Sequence, residues 1–231
     1  MSGAEDVTVE RDDHVFSKFS HFPVMAFLRA QTAPLHRELE QRLDIFGRIN
    51  TLPDYCQVLG RFYGIYSPFE RVLWRALAPL KQELMLDVRR KAPLISADLS
   101  FCGLSNAAIV ELPRWQRIAP FPSIPQALGQ LYAIESATLG GPVITRQLRR
   151  LLPLKKHAGL SFLYSYGTSV PQRSRQFRDV VRSHVRTTAQ QDLAVAGAID
   201  TFEMFHWWMS RNERHYSRTN VLVQDRERYA T

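Results

Sequence analysis

The sequence predicts an all-α protein folded as a single bundle-like domain. Apolar residues recur at three- and four-residue steps through long stretches, alternating strand patterns bounded by turn pairs are absent, and no internal repeat divides the chain. The 231 residues suffice for one core: area scaling leaves roughly 70% of the unfolded surface buried, with no need of disulfide or metal staples. A composition 45% hydrophobic and 23% charged excludes collagen-like, mucin-like and low-complexity classes.

The elements follow in order. Residues 1–20 are polar, charged and aperiodic, so they read as a mobile tail, followed by a helical domain over 21–215 and a second tail over 216–231. From Val24 to Phe46, the positions Leu28, Leu35, Leu39, Leu43 and Phe46 make a helical stripe. A second helix is expected from Asp54, a good N-cap type after Pro53; it carries Val58, Leu59, Phe62, Ile65, Phe69 and Leu73, and Pro68 should kink it. Residues 86–104, with Pro93, read as irregular. A third helix is predicted over 123–151, about 40 Å long at the helical rise. Pro142 cannot donate to the Thr138 carbonyl and clashes with it, so a kink belongs there. Two further helices are expected over about 171–190 and 192–214.

Cys56 and Cys102 sit among apolar residues and read as buried free thiols, since two cysteines make no disulfide framework. No apolar run is long enough to span a membrane, and the acidic start, Met1 to Asp13, lacks the apolar core of a secretory signal. The expectation is a cytoplasmic protein with no membrane partner. The net charge of +8 is local: ten basic residues and a single acid, Asp179, lie between Arg146 and Arg186. Such a patch calls for an anion, whether nucleic acid, phosphate or the carboxylates of a ligand or partner.

The third helix carries small residues on one face: Gly129, Ala133, Ser136, Ala137, Gly140 and Gly141. Each interior glycine costs about 1 kcal/mol against alanine. Either two helices approach closely there, or something flat lies against the bare backbone. On the first helix His36 borders the apolar stripe, and Arg29 lies two turns earlier on the same face. Alone, such a histidine is most simply a hydrogen-bonded core residue. With a cation two turns away it also suits an iron macrocycle bearing a peripheral carboxylate. Glu203 and His206 form one E-x-x-H pair, half of what a di-iron carboxylate bundle needs, and no second pair exists.

The run from Leu28 to Glu40 resembles the proximal-helix signature of heme oxygenases, L-[RK]-x-x-T-x-x-x-H-x-x-x-E. Leu131-Tyr132-Ala133-Ile134-Glu135-Ser136-Ala137-Thr138-Leu139-Gly140-Gly141 resembles their distal helix, in particular the bacterial form L-Y-V-L-E-G-S-T-L-G-G. Arg89 to Ile95 with Asp98-Leu99, Arg61 to Gly64, and Tyr166-Gly167 are similar to the bacterial, bacteriophytochrome-associated branch, so the likeness spans roughly 25–210. It implies heme as both cofactor and substrate, sandwiched between the two helices and cut with O₂ and electrons to biliverdin, CO and Fe²⁺. It also implies an electron donor of the ferredoxin or reductase type, or a small reductant, and a bacteriophytochrome as a receiver of the product.

On this resemblance His36 is the axial iron ligand, while Arg29, Tyr132 and Arg175 face the heme propionates. Ser136, Ala137, Gly140 and Gly141 form the distal oxygen side. Ser136 stands where the family has its first distal glycine, Ala137 where some members carry an aspartate, and Pro142 where a glutamine often follows the glycine pair. The Ser136 side chain therefore keeps a second reading open, a heme-binding carrier or sensor without turnover. A helical nucleic-acid-binding protein rests only on the basic segment, which lacks a helix-turn-helix pattern and stacking aromatics; no nucleic-acid partner is expected.

Overall fold

A computed structural model of the chain describes residues 23–116, 123–138, 140–155 and 158–211. Both expected tails, 1–20 and 216–231, lie outside these residues, as do His14, His21, His157 and His215. Among the described residues the only extended pairings are isolated bridges from Lys155 to Ala158 and Gly159. Everything else regular is helix.

Helix α1 (Val24–Leu43) ends where Asp44 adopts a left-handed conformation, φ 34°, so the predicted stripe does not run unbroken to Phe46. Asp44 instead caps a short α2 (Ile45–Arg48) by accepting from the Gly47 N–H. Helix α3 (Leu52–Ala76) begins earlier than expected. Thr51 is its N-cap, and Asp54 is the N3 partner whose carboxylate returns to the Thr51 N–H at 2.9 Å, a reciprocal capping box. Residues 86–104 are not irregular. After α4 (Lys81–Leu84) and α5 (Leu86–Arg89) comes α6 (Ala92–Phe101), with Pro93 in its first turn, where a missing N–H costs nothing. A short α7 (Asn106–Val110) follows, capped by Ser105.

The predicted 123–151 helix is two helices, α8 (Ile124–Thr138) and α9 (Gly141–Leu151). The break falls just ahead of Pro142 because proline is at home in the first turn of the second helix. Then come α10 (Ser161–Tyr164), α11 (Val170–His184) and α12 (Thr188–Arg211). Helix α11 ends short of its expected bound at 190 and α12 starts earlier than the expected 192, while the expected end at 214 lies outside the described residues.

Helix α12 is the hub, packed against α8 on one side and α1 on the other, while α3 packs on α6 and α8. The α8–α12 crossing explains Gly129. A Cβ there would run into the Ala194 carbonyl, and a Cβ on Gly197 would run into that of Gln126. Two backbones meet, so this part of the small-residue stripe serves helix packing rather than a ligand.

The free-thiol reading of the cysteines is corrected. Cys56 on α3 and Cys102 at the C-cap of α6 are bonded to each other, with Cα atoms 6.1 Å apart, inside the usual span for a bridge. Composition arithmetic cannot see that α3 and α6 pack side by side. Among the described residues no helix is long and apolar enough to cross a membrane.

Candidate functional site

Helix α1 buries Val24, Phe27, Leu28 and Thr32, all in its first half. Beyond them Leu35, His36, Leu39 and Leu43 are only half-covered, so an apolar face with an imidazole in it remains partly open. The His36 side chain is 33% exposed, and its Nδ1 stands 3.5 Å from the Glu40 carboxylate one turn on. The imidazole meets the Phe202 ring of α12 edge to face, with centroids 5.6 Å apart. No described residue bonds the other ring nitrogen, Nε2. A carboxylate at one imidazole nitrogen fixes tautomer and ring orientation and leaves the second free to coordinate.

One turn before His36, Thr32 donates to the Leu28 carbonyl at 2.7 Å. Its side chain also shares a hydrogen bond with Tyr132 of α8, and Arg29 lies close enough to act on that phenol. Burial raises the Tyr132 phenol, with Thr32 and Arg29 pulling the other way. Tyr132 therefore stays a neutral donor beside an exposed guanidinium, a pair suited to a carboxylate. The structure thus brings Arg29 and Tyr132 together beside Thr32, one turn before His36 on α1, while His36 itself faces Glu40 and Phe202. Arg175 is exposed on α11, a helix that packs against both α1 and α8, and no described contact ties it to Arg29 or Tyr132.

Near the end of α8, half-buried Ser136 turns its hydroxyl back onto the Ala133 carbonyl at 2.7 Å. Its proton is spent on the helix, while its lone pairs remain able to accept. Ala137 lies in the last turn of α8, Gly140 is exposed in the break, and Gly141 opens α9. A Cβ on Gly141 would strike the Leu163 carbonyl, so α9 leans on the backbone of α10. The E-x-x-H pair builds no metal site: Glu203 is exposed, His206 faces Glu38 of α1 at 3.8 Å, and no cluster among the described residues could hold a metal ion.

Beneath the distal helix lies a cluster that the sequence did not single out as one site. Arg89, fully buried, donates Nη1 to Glu135 at 2.8 Å, Nε to the Leu84 carbonyl and Nη2 to the Arg173 carbonyl. Tyr166 donates to the other Glu135 oxygen at 2.6 Å, and burial holds its phenol far above the usual range. The Lys91 ammonium lies over the Tyr166 ring at 3.6 Å and donates to Ser165. Glu70 accepts from the backbone N–H groups of Lys91 and Ala92. Burial lifts the Glu70 carboxyl to about 7 and lowers the Lys91 ammonium to about 8. Arg89, Lys91, Glu135 and Tyr166 all stood inside quoted motifs; the missing signal was that they meet.

The model of the family described as "Heme oxygenase" matches residues 23–211. The chain belongs to the heme oxygenase family. A curated relative, the heme oxygenase of Xanthomonas campestris pv. campestris, is 31% identical over 160 residues, covering 69% of this chain and 91% of that one. Among solved structures the fold is similar to a heme oxygenase from Neisseria meningitidis, solved with NO and CO bound. That likeness has a TM-score of 0.67 and 16% identity, and covers 81% of this chain and 90% of that one. The heme oxygenase of Leptospira interrogans gives 0.66 and 17%, over 82% of this chain and 99% of that one. The all-α fold expected from the sequence is therefore that of the heme oxygenases, and the chain is a heme-degrading enzyme of this family.

Proposed function

We propose that this heme oxygenase cleaves heme to biliverdin, CO and Fe²⁺, with His36 as the iron's axial ligand. The observation that carries the reading is the face around His36: a half-covered apolar stripe on α1, with one imidazole nitrogen turned to Glu40 and the other unbonded by any described residue. These residues fit a flat apolar macrocycle with one axial nitrogen ligand and a polar edge. Bound heme supplies the iron at which O₂ is activated and is itself the ring that is cut.

The chain's own residues do the rest. Glu40 holds the imidazole by accepting its Nδ1 proton, which makes Nε2 the ligand. With heme bound, Arg29 and Tyr132 would hold a propionate at the polar edge, and Arg175 would be the cation for the other. The break between α8 and α9 brings backbone toward the far face, with Ala137, Gly140 and Gly141 presenting little bulk. Ser136 offers an acceptor there, and donates only by releasing the Ala133 carbonyl.

Electrons come from a ferredoxin or reductase-type donor, or from a small reductant. The exposed Arg146, Arg149, Arg150, Arg182 and Arg186 suit an acidic donor surface. A bacteriophytochrome is the receiver that the distal motif suggests. We place the enzyme in the cytoplasm, where Cys56 and Cys102 would stand as a pair of buried thiols whenever reduced.

The spent hydroxyl of Ser136 favours a second reading, a carrier or sensor that binds heme without cutting it. Hemin added to the apoprotein should give a sharp Soret band that His36→Ala loses. An unchanged band in that variant would remove His36 from the site. A wild-type complex whose heme survives reductant and air would establish the carrier.

A further inference from the structure

The segment from Leu163 to Tyr166 touches both arms of the broken distal helix. The Leu163 carbonyl packs against Gly141 at the head of α9, and the Tyr166 hydroxyl donates to Glu135, one residue before Ser136 on α8. Between them Ser165 holds φ 45° and ψ −111°, a region that residues with side chains rarely adopt. Such a backbone persists only where its surroundings impose it. Here Lys91 does so, donating to the Ser165 hydroxyl while its ammonium caps the Tyr166 ring.

Glu135 is held with equal completeness. Each carboxylate oxygen has its own donor, Arg89 for one and Tyr166 for the other. The three donor nitrogens of Arg89 each take an acceptor from a different part of the chain: Leu84, Glu135 and Arg173. A buried ion pair rarely stabilises more than apolar residues of the same volume. What it adds is direction, because every bond fixes an angle as well as a distance. Packing alone does not call for such an arrangement one residue from Ser136; fixing the height and turn of the bend does.

We infer that Arg89, Glu135 and Tyr166 are positioning residues: they set the distal bend over the heme face and so govern which ring carbon is attacked. The inference rests on the heme-cleaving reading above. Tyr166→Phe removes one hydroxyl and keeps the ring under Lys91. Glu135→Gln keeps the shape and removes the charge, and if it fails to fold, Tyr166→Phe carries the test. Each variant is loaded with hemin and compared with wild type in three ways: Soret position, pH midpoint of the alkaline spectral change of the ferric complex, and ratio of bilin isomers formed with ascorbate in air.

The expected result is an unchanged Soret position, since His36 is untouched. With it go an alkaline midpoint moved by about half a pH unit or more and an isomer ratio changed at least about twofold. A midpoint and ratio equal to wild type would overturn the inference whatever happens to the melting temperature, for the cluster would then only hold the fold together. A wild-type protein that gives no His36-dependent Soret band would instead sink the heme reading, and the inference with it, so the two failures are told apart by the wild-type spectrum.

Discussion

His36 and Glu135 lie on two helices that pack against the same partner, α12, yet their surroundings are opposites. The His36 side chain is a third exposed, touched by one carboxylate and the edge of one ring, on a stretch of α1 with no fully buried residue. Glu135 is buried, both its oxygens are occupied, and the arginine that binds it has no exposure at all. The difference matches the two tasks proposed for them, His36 as ligand and α8 as the helix over the reacting face. A ligand residue must be reachable, and one orienting carboxylate is enough to aim an imidazole. A helix that holds backbone close to a reacting face must not move, and for that the chain uses directional bonds shielded from water.

This contrast can be broken, and the largest effect should come from Arg89. Arg89→Leu leaves a buried carboxylate with a phenol as its one hydrogen-bond donor and should cost about 3–5 kcal/mol, measured as a fall in the urea unfolding midpoint. A loss of less than about 1 kcal/mol would show that Glu135 finds water and that the distal side is no more rigid than the proximal. Next comes the bridge that ties α3 to α6 beside Asp98, whose carboxylate caps α10 by accepting from the Ser161 and Phe162 N–H groups. Closing a loop across 46 residues should contribute about 2–4 kcal/mol. Dithiothreitol should lower the melting point of wild type and leave that of Cys56→Ser, already low, in place.

The titrating pair gives a smaller, pH-dependent effect. Glu70 is raised by burial, so its contribution to stability is complete below about pH 4.5 and is lost as the pH climbs through about 7. Lys91 is depressed by burial, so its contribution is complete above about pH 10.5 and is lost as the pH falls through about 8. Between pH 7 and 8 both are charged and both costs stand. Glu70→Gln should therefore gain on wild type between pH 5 and 7, by on the order of 1–2 kcal/mol. Parallel curves across that interval would mean the carboxyl titrates normally. The smallest stability effect belongs to His36→Ala, under about 1 kcal/mol, because a side chain a third exposed, with one carboxylate and one ring edge beside it, holds little of the fold. Calorimetry of the apoprotein checks it, and a loss matching that of Arg89→Leu would erase the contrast.

The same division explains what the sequence made legible. Thr32, His36 and Glu40 sit at four-residue steps on one helix, so their proximity follows from the helical period and needs no tertiary knowledge. A kink in the distal helix was legible too, from a proline after two glycines; the structure instead ends one helix at Thr138 and starts another at Gly141, because proline suits a helix start better than its interior. The distal cluster was not. Arg89 and Glu135 are 46 residues apart, and Tyr166 a further 31, joined only by the way α5, α8 and the turn after α10 come together. The small-residue stripe shows the same limit: its spacing announced a bare face, but what lies against Gly129 is Ala194, on a helix no local pattern links to it.

The most direct test is a single turnover. One equivalent of hemin is bound to the full chain, ascorbate is added in air, and spectra are followed. Decay of the Soret band with growth of a broad red bilin band, abolished in His36→Ala, is the predicted result. A Soret band that persists in wild type, with reductant and O₂ both present, would contradict the account and leave a protein that holds heme without cutting it.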